Sequence, residues 1–425
     1  MGASLVVAST RGGDRERDAA HGRMKQPRLM GACAWLALLA VVTLRPDPSE
    51  LGGGSSTVCL LCGDRATADA ILNVALFLPL GFLLAGRPGA LPRAAVAGFG
   101  LSLAIELAQI FIPGRYAAVG DVLWNGLGAV AGVGLHYVVG VRLRTDGGKG
   151  GQAGRVAALG LGAALLAAGW LLEPRQASPY WGHWTPTFGG MDRYGGTLLQ
   201  ARLDGRAMPR GRFTPDGVQA GAFEGDWSLE VLVESGPPPP RLAPIVSISD
   251  ERQEDLVLLG ADGVDLVWRE RLRAAEWRFA RPEWRAARVL APLQVGDTVL
   301  IAVRRVGSDY CVAVGRAERC GYAFTTGRTW SLLASSWGVG ESRRRLIDVG
   351  WLFALFIPVG FLSPNRKALT GNVLIAAGST LIAVVLTDLT FGPGMEVGAA
   401  LAGLFFGRAA ARMAGGDRDA RAPIG

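Results

Sequence analysis

The sequence is poor in the residues on which soluble catalysis and metal binding usually depend. Three histidines and five cysteines are spread over 425 residues, and only 19% of the residues are charged. No nucleotide loop, haem-attachment motif or firm metal-ligand set occurs, so neither a cofactor nor a metal is expected. The Cys-x2-Cys pair Cys59 and Cys62 has no second pair at ligand spacing and no thioredoxin-like pattern around it. It reads as a local disulfide or a reduced pair. The net charge of +8 comes almost wholly from arginine. Those arginines do not gather into one patch, which argues against a nucleic-acid partner.

Apolar length is what the chain has in abundance. Half of its residues are hydrophobic and its mean hydropathy is positive. Uninterrupted runs of roughly 17–22 residues match the length that crosses about 30 Å of hydrocarbon. They predict an α-helical polytopic membrane bundle of about eight spans in the lipid bilayer. The spans fall near 29–45, 69–87, 94–113, 119–140, 155–173, 347–363, 369–390 and 395–411. No small-x-small cleavage site follows the first run, so it is expected to remain as a span.

Lys and Arg between the runs set an orientation. Arg23, Lys25 and Arg28, then Arg87 and Arg93, then Arg142, Arg144, Lys149 and Arg155, then Arg366 and Lys367, and finally Arg408, Arg412, Arg418 and Arg421 fall on one side. The expectation is a multi-pass protein of the plasma (inner) membrane with both termini cytoplasmic and residues 174–346 extracytoplasmic. The expected organisation is a basic tail 1–27, a five-span region 28–173, an outer domain 174–346, a three-span region 347–411 and a tail 412–425.

Polar residues interrupt three neighbouring spans at helical spacing. Asp69 and Asn73 are four apart. Ser102, Glu106 and Gln109 follow at i, i+4, i+7, and Asp121, Asn125 and Gly128 repeat that pattern. Each set lies on one helix face. A carboxylate such as Glu106, roughly 10 Å inside its span at 1.5 Å per residue, requires a partner or water. Arg115, in the following loop, is the expected counter-ion. These residues read as a polar cleft open to the outside that binds a ligand, or as interhelical hydrogen bonds that hold the bundle together.

The same residues carry a resemblance. Asn73-x3-Phe77-x-Pro79-x-Gly81-Phe82, Ser102-x3-Glu106-x2-Gln109, Pro113-x-Arg115 and Asp121-x3-Asn125-x2-Gly128 occur in order. Together, over 69–139, they resemble the VanZ-like family of bacterial membrane proteins. The resemblance implies a cell-envelope location and a link to glycopeptide antibiotic resistance; it does not imply a particular reaction.

A worn second copy is legible downstream. Asp348 stands before Phe356-Ile357-Pro358-Val359-Gly360-Phe361 as Asp69 stands before Phe77–Phe82, and Pro393-Gly394 echoes Pro113-Gly114. Glu396, Gly403 and Gly407 echo Asp121, Gly128 and Gly132. With Leu352 in place of Asn73 and Ala400 in place of Asn125, this half reads as scaffold. Its carboxylate Glu396 is expected to matter little, having lost its partners.

Residues 174–346 carry short alternating runs, among them 228–233, 245–250, 256–260, 267–271, 297–304 and 310–314, separated by Gly- and Pro-rich turns. This spacing predicts an inserted all-β sandwich. The order resembles a jelly roll of the laminin-G/concanavalin-A-like type. That likeness implies glycan binding, with a spacer role as the alternative. No flanking carboxylate pair suited to glycoside hydrolysis is visible; Glu230 and Glu234 read as surface positions. His183, between Trp181 and Trp184, reads either as a stacking residue or as an interface or linker cluster near the membrane. A Gly315-Arg316 turn brings 314 opposite 317, 313 opposite 318 and Cys311 opposite Cys320, which predicts a cross-strand disulfide.

The functional expectation is a non-catalytic envelope protein that binds a glycan or a lipid-linked precursor at the cleft, the sandwich or both. The alternative is a membrane enzyme or transporter acting on such a precursor, with Glu106 as general acid/base.

Overall fold

The computed structural model describes residues 31–46, 60–61, 63–86, 88–115, 117–144, 148–175, 180–188, 190–213, 225–251, 254–334 and 339–419. The basic tail 1–27 and the Cys59/Cys62 pair lie outside the described residues. The chain divides into two compact units, residues 1–62 with 70–137, and residues 63–69 with 138–425.

The long helices stand where the apolar runs predict them. They are α1 (Gly31–Thr43), α2 (Ala66–Leu84), α3 (Ala90–Gln109), α4 (Val119–Arg144) and α5 (Gly148–Leu171), then, after the β region, α7 (Glu341–Phe361), α8 (Arg366–Leu386) and α9 (Gly394–Asp419). Among the described residues, five are long and apolar enough to cross a membrane: α2, α3, residues 119–140 of α4, residues 151–171 of α5, and α8. The apolar α1 is shorter. α7 opens on Glu341-Ser-Arg-Arg-Arg345, and α9 closes on a charged turn. A span count of eight therefore exceeds what length and composition establish.

In the first unit α1 packs through Trp35, whose ring meets Phe77 edge to face at 6.2 Å and whose Nε1 donates to the Leu76 carbonyl at 2.9 Å. Leu39, Phe77 and Ile105 close a small apolar core on α1, α2 and α3. Glycine brings α2 and α4 into backbone contact. A Cβ on Gly81 would overlap the Ala129 carbonyl, one on Gly128 the Val74 carbonyl, and one on Gly132 the Leu78 carbonyl. Such small-residue seams replace the hydrophobic drive that lipid does not supply.

The second unit repeats this seam. Gly360 lies on the Leu404 carbonyl, Gly403 on that of Phe353 and Gly407 on that of Ile357. The spacing along each helix is the same as between α2 and α4. Phe356, the counterpart of Phe77, packs with Leu161 and Leu165 of α5, as Phe77 packs with Leu39 of α1. The glycine seam and the aromatic packing of the first unit thus recur on α5, α7 and α9. The β region lies between α5 and α7 in the chain.

That region is a sandwich of two six-stranded antiparallel sheets. Its strands are β1 (Tyr180–Trp184), β2 (Thr197–Leu203), β3 (Arg206–Ala207), β4 (Gly211–Phe213), β5 (Trp227–Glu234), β6 (Ala243–Ser249), β7 (Asp255–Asp262), β8 (Asp265–Glu270), β9 (Trp284–Ala286), β10 (Thr298–Val306), β11 (Asp309–Val314) and β12 (Ala317–Ala323), with a single helical turn α6 (Arg273–Glu276) between β8 and β9. One sheet has the order β4-β1-β6-β7-β8-β9 and the other β12-β11-β10-β5-β2-β3. β5 alternates buried and half-buried residues, as a half-covered strand should. Every residue of β6 is buried. Its inner face joins the main core, while Phe188 and Met191 from a loop help cover the other face around Leu242, Leu258 and Val267. In the β11–β12 hairpin, Val314 faces Ala317 and Ala313 faces Glu318. Gly315 supplies the turn with φ +59°. Cys311 and Cys320 are disulfide-bonded, with Cα atoms 4.0 Å apart.

Candidate functional site

Three helices of the first unit bring their polar faces together. Asn73 on α2 donates from Nδ2 to Asp121 Oδ1 at 2.8 Å. Asn125, one turn further along α4, donates from Nδ2 to Ser102 Oγ of α3 at 2.9 Å. Ser102 lies 3.4 Å from the Asp121 carbonyl as a donor. Ser102 is fully buried, Asn125 is 3% exposed and Glu106 5%. The i, i+4 spacings read from the sequence thus place Ser102 and Glu106 on the face of α3 turned inward.

Two features of the cluster are chemically unfinished. Asn125 Oδ1 is buried and has no hydrogen-bond partner among the described residues. Glu106 Oε2 accepts from the Ala118 backbone N–H at 2.8 Å, and among the described residues no cation lies within ion-pair distance of this carboxylate. A buried acceptor without a donor costs about 1–3 kcal/mol. Such a group is either a structural liability or a place where a ligand's N–H or O–H belongs.

The remaining expected site residues do other work. Arg115 forms no ion pair with Glu106 within 4 Å and spends its donors elsewhere. Its Nε donates to the Arg45 carbonyl at 2.9 Å and its Nη2 to the Val42 carbonyl at 3.1 Å, so it caps the end of α1. A guanidinium offers five donors, and the carbonyls left over at a helix C-terminus claim them. Gln109 is buried and donates to the Thr43 carbonyl at 2.8 Å, again at the end of α1. Asp69 pairs with Arg65 one turn away at 3.8 Å, and both side chains are more than a third exposed.

The second copy uses its equivalent positions to hold the sandwich. The segment after β12 runs through a 3-10 turn, Thr326–Leu332, whose residues are all buried. Glu396 accepts from Thr325 Oγ1 at 2.8 Å and from the Gly327 N–H at 2.9 Å. Asp348 accepts from Trp330 Nε1 at 2.5 Å, and Trp351 Nε1 donates to Thr329 Oγ1 at 2.9 Å. Glu396 has therefore not lost its partners. They come from the inserted domain, some seventy residues away in the chain, and the expectation that it matters little is corrected. A buried pair joins the same parts: Arg305 of β10 donates to Asp388, beyond α8, at 2.9 Å and lies 3.9 Å from Glu270 of β8. Tyr310 completes this group by donating to Glu270 at 2.6 Å. Burial raises the Glu270 carboxyl to about 7, with Arg305 and the Tyr310 hydroxyl opposing the rise.

Within the sandwich five carboxylates of one sheet and its edges pair with arginine. Arg271 bridges Asp250 and Glu254, Arg269 pairs with Asp255, and Arg285 bridges Asp262 and Asp265. The cavity beside Asp255, Arg269 and Ala280 holds about 20 Å³, room for a water and not for a sugar ring. His183 lies in β1 and shares a hydrogen bond with Ser249 Oγ at 2.9 Å, which makes it a sheet residue and not part of a linker. Trp184 carries Arg210 over its ring at 4.6 Å.

Residues 31–140, which span α1 and reach nearly to the end of α4, match the family model described as VanZ/LLP1. No curated protein and no solved structure matches the chain.

Proposed function

We propose, for a chain whose residues 31–140 are VanZ-like, a non-catalytic envelope protein that binds a polar ligand at the Asn73, Ser102, Glu106, Asp121 and Asn125 cluster. A glycan or a lipid-linked head group is the class of ligand that fits. The observation that carries the reading is the unpartnered buried Oδ1 of Asn125 in the same cluster as a carboxylate without a cation. Both are acceptors, so the ligand presents hydroxyl or amide donors, which sugars and their N-acyl derivatives have in abundance. The Arg/Lys pattern supports eight spans in the plasma membrane, cytoplasmic termini and an extracytoplasmic sandwich. In that orientation the sandwich, held by Glu396 and Asp348, stands outside the membrane as a second surface for glycan.

The test uses protein extracted directly into native membrane discs. Mass spectrometry of the retained lipids should find a polar, sugar-bearing species in wild-type that is depleted in Asn125→Leu. Equal retention by both would remove the cluster as the site. Chemical conversion of the retained species by wild-type, lost in Glu106→Gln, would favour the enzymatic alternative. Protease added to intact spheroplasts should cut within 174–346, and protection of that region would overturn the orientation.

A further inference from the structure

A second polar site lies in the second unit, at the other end of its helices. α5 and α8 run against each other, with Gly154, Gly162 and Gly169 facing Asn372, Ser379 and Thr387. Their sandwich-side end is fixed by Leu171, which leads into the β region, and by Asp388, which binds Arg305. At the opposite end, beside the Gly154–Asn372 contact, lies an open cavity of about 620 Å³, lined by Arg155, Asn365, Lys367, Gly371, Asn372 and Ile375 among others.

The lining is graded. Lys367, Gly371 and Ile375 follow one another a turn apart on α8 and carry the wall from charged to apolar. Arg155 faces them from α5. Neither cation has a carboxylate partner among the described residues. Asn372, 1% exposed, closes the floor and donates to Ser363 Oγ at 2.9 Å. Gly371 leaves open space: a Cβ there would meet no atom within 4 Å.

We infer that this cavity binds the phosphate of an anionic membrane lipid, with Arg155 and Lys367 on the phosphate and the Gly371–Ile375 wall along the start of an acyl chain. Two unpaired cations at one end of a helix pair attract a lipid phosphate. The positive end of α8 adds to them. A free inorganic anion would use the cations and have no use for the apolar wall, so the graded lining selects the lipid. The site is separate from the acceptor cluster of the first unit and stands whether or not that cluster binds a ligand.

The experiment places the full-length protein in phosphatidylcholine discs containing a minority of phosphatidylglycerol and counts retained phosphatidylglycerol by native mass spectrometry. Arg155→Gln with Lys367→Gln should weaken retention about thirtyfold. Gly371→Leu should weaken it as well, by filling the apolar part while leaving both charges. Arg304→Gln, a surface change on the sandwich, should leave it unchanged. Retention that is the same in wild-type and both site variants would overturn the proposal. So would displacement of the lipid by inorganic phosphate together with a silent Gly371→Leu, because the site would then be one for a free anion.

Discussion

At the residue scale, what the sequence shows depends on how far away a partner lies. Cys311 and Cys320 are joined through a hairpin whose turn residue is in plain view. Glu106 and Arg115 lie in the same stretch of sequence and still do not pair, because the carbonyls at the end of α1 claim the guanidinium. Glu270 had no signal at all, since its partners Arg305 and Tyr310 both come from the other sheet. Its raised pKa has a definite sign. A carboxyl that titrates near 7 when folded and lower when unfolded holds its proton more tightly in the native state. Its stabilising contribution is full below the unfolded value and is lost as pH rises toward 7. Unfolding followed by tryptophan fluorescence should therefore show stability falling between about pH 5 and pH 7, by on the order of 3 kcal/mol from this group. Glu270→Gln should flatten that fall, and an unchanged pH profile would refute the assignment.

At the scale of elements, glycine and the buried acids make separate predictions. Gly403 faces the Phe353 carbonyl, whereas a Cβ on Gly398 of the same helix would meet nothing within 4 Å. Gly403→Ala should cost about 1–3 kcal/mol by overpacking the α7–α9 seam. Gly398→Ala should be neutral or slightly stabilising, because alanine favours the helix. Thermal unfolding in detergent distinguishes the two, and equal effects would mean that the seam is not the contact that matters. Glu396→Ala should leave the half-buried Thr325 hydroxyl and the buried Gly327 N–H without this acceptor, at a cost of about 1–3 kcal/mol for the buried N–H. The expected readout is faster proteolysis in 325–332 with the sandwich itself intact. The repeated Phe-x-Pro-x-Gly-Phe and Pro-Gly elements made the second copy legible. Helix α5 carries neither, so its place against Phe356 shows only in packing. Strand β6 reads as alternating in the sequence but is buried throughout because a loop covers its outer face, and β12 has five of its seven residues exposed.

At the scale of the whole molecule, two helix sets with the same glycine seam differ in what they do with their acids. The second spends Asp348 and Glu396 on the chain's own Thr325–Trp330 segment. The first keeps Ser102, Glu106 and Asn125 buried together, with one amide oxygen unanswered. The central claim is that this remainder is a binding site and not helix glue. Glu106→Gln tests it most directly, because glutamine Oε1 still accepts from the Ala118 N–H while the charge is gone. The measurement is retention of the sugar-bearing species in native discs, read beside the unfolding midpoint. The account predicts retention reduced roughly tenfold or more, the loss of a hydrogen bond to a charged group, with the midpoint unchanged. Full retention in Glu106→Gln, or a loss that appears only together with unfolding, would contradict it.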